Sequence, residues 1–103
     1  MFHDPPVVEI LTTGVFDAWL RELRDRAGRE RILVRITRLR QGNPGDAKPV
    51  GEGVSEMRIT FGPGYRVYFT RRGPLVILLL AGGDKSSQSA DIEAAKALAK
   101  QAE

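Results

Sequence analysis

Three cationic residues in the C-terminal half have the types and spacing to grip a phosphate ester: Arg58, Arg66 and Lys85. Arg58 lies in the alternating run Val54–Phe61 and Arg66 in a second, Tyr65–Arg71, with Gly62-Pro63-Gly64 between them. Successive side chains of a strand point to opposite faces. Met57, Ile59 and Phe61 therefore face one way and Glu56, Arg58 and Thr60 the other; Tyr65, Val67 and Phe69 join the apolar side, while Arg66, Tyr68 and Thr70 face away. The short turn makes the two strands neighbours, so their polar faces merge into a patch of Glu56, Arg58, Arg66 and Tyr68 opposite the helix-covered face. A one-residue slip would reverse this, and the apolar partners fix the choice. Lys85 follows the next strand at the entrance to the last helix, where unpaired N–H groups and the helix dipole suit a phosphate. Arginine forks match phosphate oxygens, and Tyr68 offers a face on which an unstacked base can rest. The bland alternative is a solvated sheet face with cross-strand Glu–Arg pairs, which the residues by themselves favour because such faces are common.

Other chemistries fit worse. His3, the single histidine, sits near the terminus, so neither a Ser–His–Asp triad nor a zinc site can be assembled, and the chain has no cysteine. Gly83-Asp84-Lys85-Ser86 ends like a phosphate-binding loop, but the first glycine of that motif is missing at its required spacing. No carboxylate pair stands at a convincing active-site position. No metal and no cofactor is expected.

The elements that must position these residues are legible in the hydrophobic pattern. Residues 7–11 read as a short strand after the Pro5-Pro6 stop, and Thr12-Thr13-Gly14 opens a helix whose Phe16, Trp19, Leu20 and Leu23 share one face. Asp17 suits its first turn. Gly28 is expected to interrupt, with a second helix over Arg29–Arg40 burying Ile32, Leu33, Ile36 and Leu39 and exposing a stripe of Arg31, Arg35 and Arg38. Residues 41–53 form a Gly/Pro-rich loop with one short strand at Ala47–Val50. Leu75–Ala81 is apolar throughout, the mark of a central strand covered on both faces. Gly82-Gly83 ends it, and a last helix runs from about Ser87 to Gln101, with Ser86 or Ser87 as its N-cap and Ile92, Ala95, Leu98 and Ala102 on one side. The order is β-α-α-β-β-β-β-α, an α+β domain spanning residues 1–103: a helical hairpin on a mostly antiparallel sheet of four or five strands, with a C-terminal helix.

The charge is +3 over 103 residues, with a pI near 9.7. Residues 21–40 hold eight arginines against three acidic residues, and residues 61–80 hold Arg66, Arg71 and Arg72 with no acid. Two basic zones on a small protein point to a polyanion or an acidic partner, against a solvated helix face as the plain reading. No run approaches the ~18 apolar residues of a membrane span, and no secretory leader is visible. A reducing cytoplasm is the expected compartment.

Glu56-Met57-Arg58-Ile59, Gly62-Pro63-Gly64-Tyr65-Arg66-Val67-Tyr68-Phe69 and Gly82-Gly83-Asp84-Lys85-Ser86-Ser87-Gln88 resemble, in order and spacing, the phage-derived "addiction module killer protein" branch of the RelE/HigB/ParE toxin superfamily. The resemblance extends to the Phe16-x-x-Trp19-Leu20 helix and the arginine-rich second helix, nearly the whole chain. It implies the microbial RNase type of fold and a toxin of a type II toxin–antitoxin system, restrained by a helix-turn-helix antitoxin encoded next door. It implies a ribosome-dependent endoribonuclease that cuts messenger RNA by metal-independent attack of the RNA's own 2′-OH. Arg66 matches the strand arginine that stabilises the scissile phosphate in such nucleases, Lys85 the basic residue after the last strand, and Arg58 the basic positions of the preceding strand. The terminal tyrosine that stacks on the base has no counterpart, since Asp91 lies near that position; the His and Asp of well-known HigB members are also absent, and Tyr68 is the substitute at hand. Glu56 then either accepts the 2′-OH proton or orients Arg58. The stripe of Arg31, Arg35 and Arg38 either contacts ribosomal RNA or docks an acidic antitoxin segment. Two other functions stay open: a ParE-like inhibitor of DNA gyrase without nuclease activity, and a non-catalytic RNA- or protein-binding module.

Overall fold

The computed structural model describes residues 7–102; His3 and the Pro5-Pro6 pair lie outside the described residues. The order is β1 (Glu9–Thr12), α1 (Gly14–Glu22), α2 (Arg26–Arg40), β2 (Ala47–Gly51), β3 (Val54–Ile59), β4 (Tyr65–Arg71), β5 (Val76–Gly83) and α3 (Gln88–Gln101), with one turn of 3-10 helix, Lys85–Ser87, before α3. The strands form one sheet in the order β1-β5-β4-β3-β2. Only β1 and β5 pair in parallel, and the other three pairings are antiparallel. The expected α+β architecture is therefore the observed one.

Local chemistry explains the helical corner. Thr13 caps α1: its hydroxyl accepts from the Phe16 N–H at 3.0 Å and donates to the Leu80 carbonyl at 2.6 Å, tying the helix start to the central strand. The chain breaks after α1 at Leu23, not at Gly28, because Asp25 caps α2 by accepting from the Gly28 N–H at 3.0 Å. Gly28 lies inside α2, where the Tyr65 ring crosses it; a Cβ there would stand 2.5 Å from Tyr65 Cε2. The Tyr65 hydroxyl donates to the other Asp25 oxygen at 2.7 Å, so one carboxylate joins the helical corner to the start of β4. Burial and this bond push the Tyr65 phenol up to about 12.

Asp25 and Asp84 are both held below the usual aspartate range. For Asp25 the Gly28 N–H and then the Tyr65 hydroxyl are responsible, and for Asp84 the Ser86 hydroxyl and N–H. A carboxylate depressed in the native state stabilises it fully above its unfolded pKa, about 4, and that contribution disappears as the pH falls through the native value. The melting temperature should therefore drop as pH falls below about 4. Asp25→Ala should lower it at neutral pH and flatten the acid limb, as thermal melts across that window will show; an unaltered limb would refute the coupling.

Two cores flank the sheet. One, under α1 and α2, gathers Phe16, Ile32, Ile36, Leu39, Met57, Ile59, Val67, Phe69, Ile77 and Leu79. Leu33 is 45% exposed, so α2 buries a narrower stripe than its sequence suggests. The other, under α3, gathers Val54, Tyr68, Leu78, Leu80, Ala81, Ala95 and Ala99, with Ile92 and Leu98 packed against it and Ala102 exposed. The sheet face read as polar and open is thus half covered by α3. Gly82 and Gly83 belong to β5 and mark where helices close over both its faces. A Cβ on Gly82 would meet the Trp19 ring of α1 at 2.2 Å, and one on Gly83 the Asp91 carboxylate of α3 at 1.8 Å.

Candidate functional site

The register between β3 and β4 sets Arg58 directly opposite Arg66 and Glu56 opposite Tyr68. Arg66 in turn stands opposite Gly83, two residues before Lys85. Arg58, Arg66 and Lys85 consequently line one recess of about 340 Å³, together with Asp46, Thr60, Phe61, Gly62 and Gly64. This is the part of the α3 face that α3 leaves open. Two guanidinium groups side by side repel, and a carboxylate stands beside each. Arg58 donates to Asp46 at 3.0 Å, and Arg66 Nε lies 3.9 Å from Glu56 Oε1. A bound phosphate between them would add charge-assisted bonds of the kind that guanidinium groups make best.

Glu56 is fully buried. Its Oε2 accepts from the Tyr68 hydroxyl at 3.2 Å and from Gln88 Nε2 at 2.8 Å. It is therefore placed behind Arg66 rather than in the recess, and its partner is Arg66 rather than Arg58. A carboxylate with no solvent exposure cannot reach a substrate hydroxyl; it can orient the arginine in front of it. Tyr68 is equally buried, under α3, with its phenol pushed far up by burial and by Glu56. Its ring packs with Leu80 and Ala95 and is not open to a base. The signal for this lay in Leu75–Ala81, whose apolar run required cover on both faces and so required α3 to lie over Tyr68.

Lys85 is exposed and reaches the recess from the 3-10 turn, three residues before α3 begins. Of the N–H groups expected to receive an anion there, that of Ser86 is already engaged, because Asp84 accepts from it at 2.8 Å.

The arginine stripe divides. Arg35 is a structural brace. It donates to the carbonyls of Arg58 at 2.6 Å, Pro44 at 2.9 Å and Asp46 at 3.3 Å, fastening the loop before β2 to α2 and β3. Arg31 and Arg38 are exposed. Both line a second recess of about 280 Å³, which shares Asp46, Arg58, Thr60 and Phe61 with the first. The guanidinium of Arg31 lies over the Phe61 ring, 4.9 Å from its centroid. Arg29 is structural too, donating to the carbonyls of Arg21 and Leu23 at the end of α1. Asp46 and Phe61 are the site residues that sequence reasoning missed. Asp46 lay in a loop whose path no periodicity predicts, and Phe61 looked like the last core residue of its strand.

Among the described residues no group of three His, Cys, Asp or Glu side chains is placed to hold a metal ion, and no helix is long and apolar enough to cross a membrane.

No known protein-family model matches the chain. An uncharacterized protein of Haemophilus influenzae is 46% identical over 94 residues, covering 91% of this chain and 95% of that protein. The free-state structure of a doubly substituted E. coli toxin RelE superposes with a TM-score of 0.65 at 13% identity, covering 84% of this chain and 96% of that one. At that identity the likeness concerns the fold, which is RelE-like. The protein therefore belongs to the same family as its Haemophilus influenzae relative, a family carried on the RelE-like fold.

Proposed function

We propose that the protein is a RelE-like toxin of a type II toxin–antitoxin system, of the addiction module killer kind, acting on messenger RNA at the ribosome. The observation that carries this reading is the convergence of Arg58, Arg66 and Lys85 on one open recess. The substrate's 2′-oxygen attacks the adjacent phosphorus and the bond from phosphorus to the 5′-oxygen breaks, leaving a 2′,3′-cyclic phosphate and a 5′-hydroxyl. Arg58 and Arg66 hold the phosphoryl oxygens as charge builds on them. Lys85 stands to give a proton to the departing 5′-oxygen. Glu56 serves as a positioning residue for Arg66, and Asp46, the carboxylate lining the recess, takes the 2′-OH proton. The ribosome supplies part of the substrate geometry, and alignment of the reacting atoms carries much of the rate. A helix-turn-helix antitoxin is the expected restraining partner, and the bacterial cytoplasm the expected compartment.

Messenger RNA ends mapped during induction should show new 5′-hydroxyl ends within translated regions, with gyrase supercoiling unaffected in a parallel assay. Intact messenger RNA together with blocked supercoiling would replace this reading with the gyrase-inhibitor one. Normal growth without antitoxin would leave a non-catalytic module.

Asp46 gives a sharper check. In the free protein its carboxylate occupies one arm of the Arg58 fork. Asp46→Asn should bind inorganic phosphate several-fold more tightly, because the competing anion is gone. It should also cut RNA about 100-fold more slowly, because the base is gone. Unchanged cleavage in this variant would exclude Asp46 as the base.

A further inference from the structure

We infer that the recess between α2 and β3 is a nucleotide subsite, in which the base next to the scissile phosphate stacks on the guanidinium of Arg31 backed by the Phe61 ring. The inference rests on the nuclease reading above and names how that site would hold its substrate.

The geometry comes from two recesses that share a wall. The anion recess of Arg58, Arg66 and Lys85 borders, at Asp46, Arg58, Thr60 and Phe61, the space lined by Arg31, Val34 and Arg38. At about 280 Å³ that space lies near the lower end of volumes that enclose a small organic ligand, enough for a nucleobase and not for a folded element. Its lining combines what an unstacked nucleotide requires. The Arg31 guanidinium carbon stands over the Phe61 ring, 4.9 Å from its centroid, and the side chain is otherwise exposed, so the ring backs the guanidinium while solvent-side surface is left for a base. Stacking on arginine planes and aromatic faces is the usual way single-stranded RNA is held. Arg31 and Arg38 stand seven residues apart on α2, about 10 Å along its axis, so Arg38 can meet the phosphate beyond the stacked base. Val34 lies between them, 48% exposed, an apolar floor with no helix over it.

Arg35 explains why the recess keeps its shape. Its three bonds to backbone carbonyls fix α2 against β3 and the loop that carries Asp46, so the cavity has a rigid back wall. A surface serving only as a charge platform for an acidic protein needs no aromatic backing and no concave wall. The Arg31–Phe61 pair and the cavity beside it favour RNA over an acidic peptide. The arrangement also supplies the base-stacking element that Tyr68, buried under α3, does not.

The test measures binding to the full-length protein at low salt with three probes: inorganic phosphate, a trinucleotide RNA carrying a 2′-O-methyl group at the scissile position, and the same trinucleotide with the neighbouring base removed. The wild-type protein should bind the complete trinucleotide at least about tenfold more tightly than the abasic one, as expected for one base on an aromatic or arginine platform. Arg31→Lys keeps the charge and loses the plane. It should lose that preference while binding phosphate as before, and because Arg31 is exposed the variant should melt like the wild type. Phe61→Leu, which keeps the apolar packing, should reduce the same preference. Equal binding of the complete and abasic trinucleotides by the wild type would overturn the subsite and reduce the stripe to charge alone. So would an Arg31→Lys variant that keeps the full preference. Arg66→Ala separates this from failure of the underlying reading: phosphate binding that survives Arg66→Ala removes the anion site itself, whatever Arg31 does.

Discussion

Arg66→Ala should abolish growth arrest on induction while leaving antitoxin binding largely intact. Arg66 is the one cation of the recess held from behind. It lies on β4, opposite Arg58 on one side and Gly83 on the other, with its Nε facing the buried Glu56. A preorganised donor aimed at charge that develops in the transition state typically supplies about 3–4 kcal/mol, so cleavage should fall by roughly 100- to 1,000-fold. Arg66→Lys should recover little, because an ammonium on a flexible stem offers neither the fork nor the partner for Glu56. Glu56 keeps its bonds from Tyr68 and Gln88 but loses its cationic partner, so Arg66→Ala should melt lower than the wild type. Arg66→Gln, which keeps a donor toward Glu56, should lose the same activity with a smaller loss of stability. Growth curves, ribosome-dependent cleavage and co-purification with the antitoxin measure the three parts separately. Full toxicity from a folded Arg66→Ala protein would end the proposed site.

The second large effect is on stability. Gly82→Ala would place a methyl group 2.2 Å from Trp19 Cε3 and 2.3 Å from Cζ3, far inside contact distance. The indole has little room to withdraw. The Phe16 ring lies 5.9 Å away on one side and the Tyr65 ring 6.4 Å away, edge-on, on another. Overpacking of this kind costs about 1–3 kcal/mol and occasionally more, and here we expect the upper end, about 3 kcal/mol. The midpoint of urea unfolding should fall accordingly. Trp19→Phe should destabilise the wild type yet cost less, or even help, in the Gly82→Ala background, since the smaller ring makes room; that coupling is the signature of direct contact. A Gly82→Ala protein as stable as the wild type would show that α1 does not press on β5 as described. The same shift would reach function, because Lys85 follows β5 by only two residues.

Expression without a partner bears on both effects. A protein that arrests growth is selected against, so the Arg66→Ala form should be the one that accumulates. Gly82→Ala should reduce toxicity through loss of folded protein, and cooling should partly restore it.

Much of this protein was determined by its residue sequence. Alternation in Val54–Ile59 and Tyr65–Arg71 assigned side chains to faces correctly, because a pleated strand permits only two and a slipped register would turn Met57, Ile59, Val67 and Phe69 away from the core. The Thr13 cap and the Gly-Pro turn between β3 and β4 were legible because they rest on bonds between near neighbours, whereas the Asp25 cap that starts α2 was missed and Ser87, at the start of α3, makes no side-chain capping bond. What the sequence could not decide was what lies above each face. Glu56 and Tyr68 read as surface residues because they are polar, yet α3 covers them, and a buried carboxylate is tolerated there only because Tyr68 and Gln88 donate to it and Arg66 stands beside it. Gly28 and Gly82 read as punctuation, whereas each is required by an aromatic ring from a distant segment. Arg35 and Arg31 are indistinguishable along the helix; one braces the loop, and the other lies on Phe61. Local bonding and periodicity fix elements within a few residues of chain. Whether a cation serves the fold or faces an open recess depends on contacts dozens of residues away, and those exist only once the sheet has closed between its helices.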